Sequence, residues 1–81
     1  GVGGIKFYTG DLFPEFKNTL LIGSLKFQYL SYLPRNENGF GEEQIIFKNK
    51  IGRIRDIEVN SKGEIFLIAD ENNTTLYKLT P

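Results

Sequence analysis

Two arginines, Arg53 and Arg55, stand at i and i+2 in the stretch GRIRDIEV, residues 52–59. Residues two apart in an extended strand point to the same side, so this spacing presents two guanidinium groups together. Guanidinium is planar, always charged, and forms bidentate hydrogen bonds to carboxylates. The pair could clamp an anion. It could also be solvated ion pairing with Glu43, Asp56 or Glu58, which contributes only about 0–1 kcal/mol. On the pattern alone the ion-pair reading is the favoured one. Glu15, Glu42 and Glu43 are carboxylates in loops or at strand edges and read as solvated surface groups. DENN, residues 70–73, carries oxygen ligands but lacks the length and spacing of a calcium loop, and reads as a polar turn. Asn72 and Asn73 each begin an Asn-x-Thr acceptor sequence, which matters only in a glycosylating compartment.

The elements that must hold such residues belong to one small domain of 81 residues. A domain of that size buries only about 60% of the surface its unfolded chain exposes. The chain has no cysteine, hence no disulfide staple and no thiolate metal site. It has no histidine, the commonest general base and metal ligand. Ten basic residues balance ten acidic ones, so no net field argues for nucleic acid or an anionic membrane. No apolar run approaches the roughly 18 residues of a transmembrane helix. The opening GVGGIKF lacks the basic and apolar regions of a signal peptide, so the residues leave the compartment open. With no methionine anywhere, the chain is expected to be a processed product, an excised piece or a part cut from something longer.

Aromatic and β-branched residues with nine glycines favour strands. IKFYT (5–9) alternates and predicts a strand. GDLFPEFKN (10–18) predicts a loop whose Leu12, Phe13 and Phe16 tuck onto the body. TLLIGSL (19–25) predicts a strand buried on both faces, and FQYLSYL (27–33) its antiparallel partner. PRNENGFG (34–41) predicts a loop and EQIIFK (43–48) an outer strand. IRDIEV (54–59), a tight NSKGE turn, IFLIA (65–69) and TLYKL (75–79) continue the series. No window sustains a helical period. Residues 18–34 resemble residues 63–81: an apolar run, a polar break, an alternating strand and a proline, offset by about 45 residues, the spacing of propeller blades. A coincidence between two hairpins of similar length is the alternative.

FYTGDLFPEFKN, GSLK, and GRIRDI with its SKGEIFLIAD turn, in this order, resemble the C-terminal part of the glucose/sorbosone dehydrogenase family. These are soluble aldose sugar dehydrogenases dependent on pyrroloquinoline quinone (PQQ). The likeness covers nearly the whole chain and is weakest over residues 27–51. It implies an all-β, antiparallel fold comprising about two blades of a six-bladed β-propeller. Residues 1–48 would form one blade portion and residues 49–81 the next. It implies PQQ as cofactor, with Lys26, Arg53 and Arg55 at the family's cationic cofactor-binding positions. A carboxylate-rich planar anion needs such fixed charge, and a lysine near the quinone oxygens would stabilise negative charge on reduction. It also implies an aldose sugar oxidised at its anomeric carbon, and calcium whose ligands lie in upstream blades. By the same resemblance an extracellular or periplasmic compartment is admissible.

The family's catalytic base is a histidine from an earlier blade, which this chain lacks. Six blades at about 45 residues each need roughly 270 residues. The expectation is therefore a dehydrogenase fragment that carries part of the cofactor site and is inactive alone. The alternative is a non-catalytic β-rich structural or binding module, for which a small closed barrel is the competing fold. Isolated blades expose apolar faces and strand edges. Self-association, or the remainder of the propeller, is expected to cover them.

Overall fold

The computed structural model describes residues 2–25, 28–48, 51–70 and 74–81. The fold is all-β with antiparallel sheets, as the sequence predicts. Strands β1 (Val2–Tyr8), β2 (Thr19–Ser24), β3 (Leu30–Leu33) and β6 (Gln44–Ile46) form a four-stranded sheet in that order. Between β3 and β6, strands β4 (Arg35–Asn36) and β5 (Gly39–Phe40) make a small hairpin where the sequence predicts a plain loop. Its tip is closed locally: Asn38 N–H donates to Asn36 Oδ1 at 2.9 Å and Gly41 N–H to the Pro34 carbonyl at 2.6 Å. Strands β7 (Arg53–Val59), β8 (Ile65–Asp70) and β9 (Thr74–Lys78) form the second large sheet.

Alternation explains which faces meet. Along β8, Ile65, Leu67 and Ala69 are fully buried while Phe66 and Ile68 are half-buried. On β2, Leu21 is fully buried while Leu20 and Ile22 are only partly covered. The expected burial of residues 19–25 on both faces is thus met on one face. The less covered face carries the cross-strand row Phe7–Leu20–Leu33 and, beside it, Ile5, Ile22 and Ile45 in one row with Ser31, which is itself fully buried; Ile5 is 57% exposed. Within these residues no second layer lies over it.

The layers approach closely because glycines remove side chains where β1 and β2 meet β7. A Cβ on Gly23 would stand 2.4 Å from Ile54 Cγ2, and one on Gly4 would stand 3.1 Å from the Asp56 Cα. Both β1 and β7 also carry a one-residue bulge. In β1, Val2 pairs with Ser24 and Gly4 with Gly23, which leaves Gly3 unmatched. In β7, Ile54 pairs with Ala69 and Asp56 with Ile68, which leaves Arg55 unmatched. The bulges abut: a Cβ on Gly3 would fall 1.5 Å from the Ile54 carbonyl oxygen and 2.9 Å from the Arg55 Cα. The bulge in β7 keeps acids out of the core. Strict alternation from Ile54 would turn Asp56 and Glu58 inward; with one extra residue, Ile57 and Val59 turn inward instead, and Ile57 is 1% exposed.

At the other end of the sheets, residues 9–18 fold into a loop with a single 3-10 turn at Pro14–Phe16, the one helical element among the described residues. Phe13 and Phe16 are buried as predicted, but Leu12 is 39% exposed. The aromatic rings run Tyr8–Phe13–Phe16–Tyr32, with centroids 6.2, 5.8 and 5.1 Å apart. The fully buried Tyr8 hydroxyl donates to the Gly63 carbonyl at 2.6 Å and accepts from Phe13 N–H at 3.3 Å. It ties the loop to the β7–β8 turn. Gly63 has φ of 79°, the left-handed conformation the NSKGE turn requires. Asn60 Oδ1 accepts from the N–H groups of Lys62 and Glu64 and braces that turn.

Candidate functional site

The two arginines emerge where β7 begins. Ile54 between them is fully buried, and both arginines are exposed. Arg53 lies across from Asp70 on β8, its Nη2 4.0 Å from Asp70 Oδ2, with about half of each side chain in water. At that distance and exposure the pair is a weak surface attraction of about 0–1 kcal/mol. Arg55 occupies the bulge, and its guanidinium has no ion-pair or hydrogen-bond partner among the described residues. None of the acids expected from the sequence takes either arginine. Glu43 Oε2 accepts from the buried Ser31 hydroxyl at 2.6 Å, and Asp56 Oδ1 accepts from Ile57 N–H at 2.8 Å. For Glu58, no ion pair forms among the described residues.

Asp70 is the acid the sequence reading passes over. Counting the hairpin register back from the NSKGE turn, with one residue added for the bulge, locates it. The bulge has its own signal, since the inward residues Ile54, Ile57 and Val59 are spaced three and then two apart.

GSLK and GRIRD are 26 residues apart and meet in space. Gly23, at the start of GSLK, packs on Ile54 of GRIRD, and Ser24 pairs with Val2 on the adjoining strand. Ser24 is buried and Leu25 half-buried. Lys26 lies outside the described residues. The motif FYTGDLFPEFKN is toward the opposite end of the sheets, with Tyr8 about 13 Å along β1 from the Gly4–Gly23 pair by strand rise, where Tyr8, Phe13 and Phe16 serve the core. The polar cleft there, lined by Thr9–Asp11 and residues 59–63, has its one carboxylate engaged: Lys17 Nζ donates to Asp11 Oδ1 at 2.6 Å. That hydrogen bond raises the Lys17 pKa above the usual lysine range. Near the turn, Glu64 is held below the usual carboxylate range, first by the hydrogen bond from Lys78 and then by that from Asn60.

Two antiparallel sheets packed together through glycines, with two exposed arginines at one end, define an all-β protein class. Residues 1–78 match the model of the Glucose / Sorbosone dehydrogenase family. The chain is 31% identical over 80 residues to aldose sugar dehydrogenase YliI of Escherichia coli (strain K12), covering 99% of this chain and 22% of that protein. It is 32% identical over 79 residues to the uncharacterized protein slr1608 of Synechocystis sp. (strain ATCC 27184 / PCC 6803 / Kazusa), covering 94% of this chain and 18% of that one. Its fold superposes on a glucose dehydrogenase with a TM-score of 0.89 at 28% identity, over 100% of this chain and 25% of the other. It also superposes on the apo-form of the soluble aldose sugar dehydrogenase from Escherichia coli, with a TM-score of 0.82 at 31% identity, over 95% and 22%. The chain belongs to the Glucose / Sorbosone dehydrogenase family. It spans 22% and 18% of the lengths of the two sequence relatives.

Proposed function

We propose that the chain is the part of a PQQ-dependent sugar dehydrogenase that grips the cofactor's carboxylates through Arg53 and Arg55, with Lys26 of GSLK as a third cation. The observation that carries this reading is the contact of Gly23 with Ile54, which joins the two motifs at the end where both guanidiniums stand exposed. The donor set fits the group. Guanidinium forks match carboxylates, Arg55 is uncommitted among the described residues, and Arg53 is held only by a weak contact to Asp70. When bound, the ortho-quinone would supply the two-electron acceptor for an aldose oxidised at its anomeric carbon. Arg53 and Arg55 would fix the orientation of the bound anion. Asp70 would tune Arg53 by competing for it. The sequence has no histidine, so the general base is assigned to parts of the fold outside residues 1–81; the family resemblance assigns the calcium ligands there too. The two large sheets would be portions of neighbouring blades in a six-bladed ring, divided near residue 48.

The test is a titration of the purified chain with PQQ, followed by absorbance and calorimetry, beside an Arg53→Ala/Arg55→Ala double variant. Each charge-assisted contact is worth about 1.5–3 kcal/mol, so the double variant should bind about 100-fold more weakly or not at all. Its melting midpoint should not move, because both side chains are exposed. Equal binding by both proteins, or no wild-type binding at high micromolar cofactor, overturns the reading.

A further inference from the structure

Arg55 leaves the sheet from the bulge of β7, and the strand packed against that bulge is bulged as well. Successive residues of a regular strand face opposite sides. Gly3 and Gly4 do not. A Cβ on Gly3 would lie 1.5 Å from the Ile54 carbonyl oxygen and 2.9 Å from the Arg55 Cα, and one on Gly4 would lie 3.1 Å from the Asp56 Cα and from the Ile57 nitrogen. The bulge at Gly3 turns both glycines toward β7. Their contacts fall on either side of Arg55: Gly3 meets residues 54 and 55, and Gly4 meets residues 56 and 57. The Arg55 backbone is thus seated in a saddle of two glycines. Asp56 Oδ1 accepts from Ile57 N–H at 2.8 Å, so the amide just past the bulge is satisfied locally. Every atom of this seating lies within residues 1–81.

We propose that Gly3 is a positioning residue of the anion site: it sets where, and in which direction, the Arg55 guanidinium leaves the sheet. A bulge re-aims the side chain it carries, and the bulge of β7 keeps its shape only while β1 comes this close, which a residue without a Cβ allows. The atoms that a side chain at position 3 would meet are backbone, so it must displace the peptide between Ile54 and Arg55. Binding constellations hold to within about 0.5 Å of their productive geometry. Relieving a 1.5 Å approach takes more than that. Arg53 lies one step further back, in the β7–β8 ladder opposite Asp70, so the displacement falls on Arg55. What Arg55 holds rests on the cofactor reading; its seating on Gly3 does not.

Calorimetric titration with PQQ compares wild type, Gly3→Ala, Arg55→Ala and the double variant. Gly3→Ala should bind about tenfold or more weakly, as Arg55→Ala does. In the Arg55→Ala background it should cost no further affinity. Arg53→Ala should lose the same factor in wild type and in Gly3→Ala. Wild-type affinity in Gly3→Ala overturns the proposal. So does a loss that persists undiminished in Arg55→Ala, which is what a merely structural glycine would give. Melting without ligand separates this inference from the cofactor reading. Deleting Arg55 removes the bulge from β7, and deleting Gly3 removes it from β1. Each single deletion should lower the midpoint by roughly 10 °C, and the double deletion should melt above either single one. A double deletion that melts below both overturns the proposal, even where Gly3→Ala fails to fold. Recovery in the double deletion beside a wild type that binds no PQQ upholds the seating of Arg55 on Gly3 and overturns the cofactor reading alone.

Discussion

Gly23→Ala tests the junction on which the site depends. The added Cβ would lie 2.4 Å from Ile54 Cγ2 and 2.9 Å from Ile54 Cβ. Carbon atoms in good contact sit about 3.5–4.0 Å apart, so the layers or the Ile54 side chain must give by about 1 Å. Ile54 is fully buried, and its Cβ is fixed to the backbone, so rotation cannot clear both contacts. Overpacking of this kind costs about 1–3 kcal/mol. In a chain of this size each kcal/mol lowers the melting midpoint by about 4–8 °C, so a fall of roughly 5–20 °C is expected. The decisive comparison uses Ile54→Ala, which removes the obstructing γ-carbons at its own cost of about 2–5 kcal/mol. Placed in that background, Gly23→Ala should cost less than it does in wild type, because the 2.4 Å contact is gone and only the one to the residue-54 Cβ at 2.9 Å remains, a non-additive cycle. Urea unfolding of the four proteins, with an osmolyte present to keep the weakest folded, gives the numbers. A Gly23→Ala protein as stable as wild type, or a cycle that adds, would refute the claim that GSLK and GRIRD are locked together through this contact.

Tyr8→Phe should destabilise the chain by about 1–3 kcal/mol in chemical denaturation, because it strands the buried Gly63 carbonyl and Phe13 N–H at once. Glu64, held below the usual carboxylate range by Lys78 and Asn60, adds stability above its unfolded pKa and loses it as pH falls through the folded one. Glu64→Gln should therefore melt below wild type at neutral pH. That gap should close as pH drops below the ordinary glutamate value of about 4.3. Melting curves across the acid range measure this, and a gap independent of pH would rule the mechanism out.

Much of the strand order is legible in the sequence, because apolar alternation and the NSKGE and GDLFPEFKN punctuation are local signals. Arg53 and Arg55 are visible for the same reason: charge at i and i+2 beside a buried isoleucine is a local pattern. The partners of those residues are not local. Asp70 faces Arg53 only after a bulge has shifted the hairpin register by one. The contact of Gly23 with Ile54 joins two sheets and leaves no trace in either segment beyond a glycine. FYTGDLFPEFKN is legible in part: Phe13 and Phe16 are buried as its loop reading predicts, while the bond from the Tyr8 hydroxyl to Gly63 spans 55 residues and is not local. Leu12, expected to tuck onto the body beside them, is 39% exposed, while Phe13 and the 3-10 turn's Phe16 are the ones buried.

The bulge in β7 has a consequence for how the strand tolerates changes of length. Without Arg55 the segment would read Ile-Asp-Ile-Glu-Val, a regular alternating strand with the same side chains inward and the same acids outward. The core pattern therefore works with one residue fewer. Arg55 is an insertion that the hydrophobic interior does not call for, accommodated by a second insertion, Gly3, on the facing strand. Shortening both strands by these two residues would leave a sheet pair of conventional pairing with a single guanidinium at its end. What the longer strands add is a second positive charge, placed outside the core's own repeat.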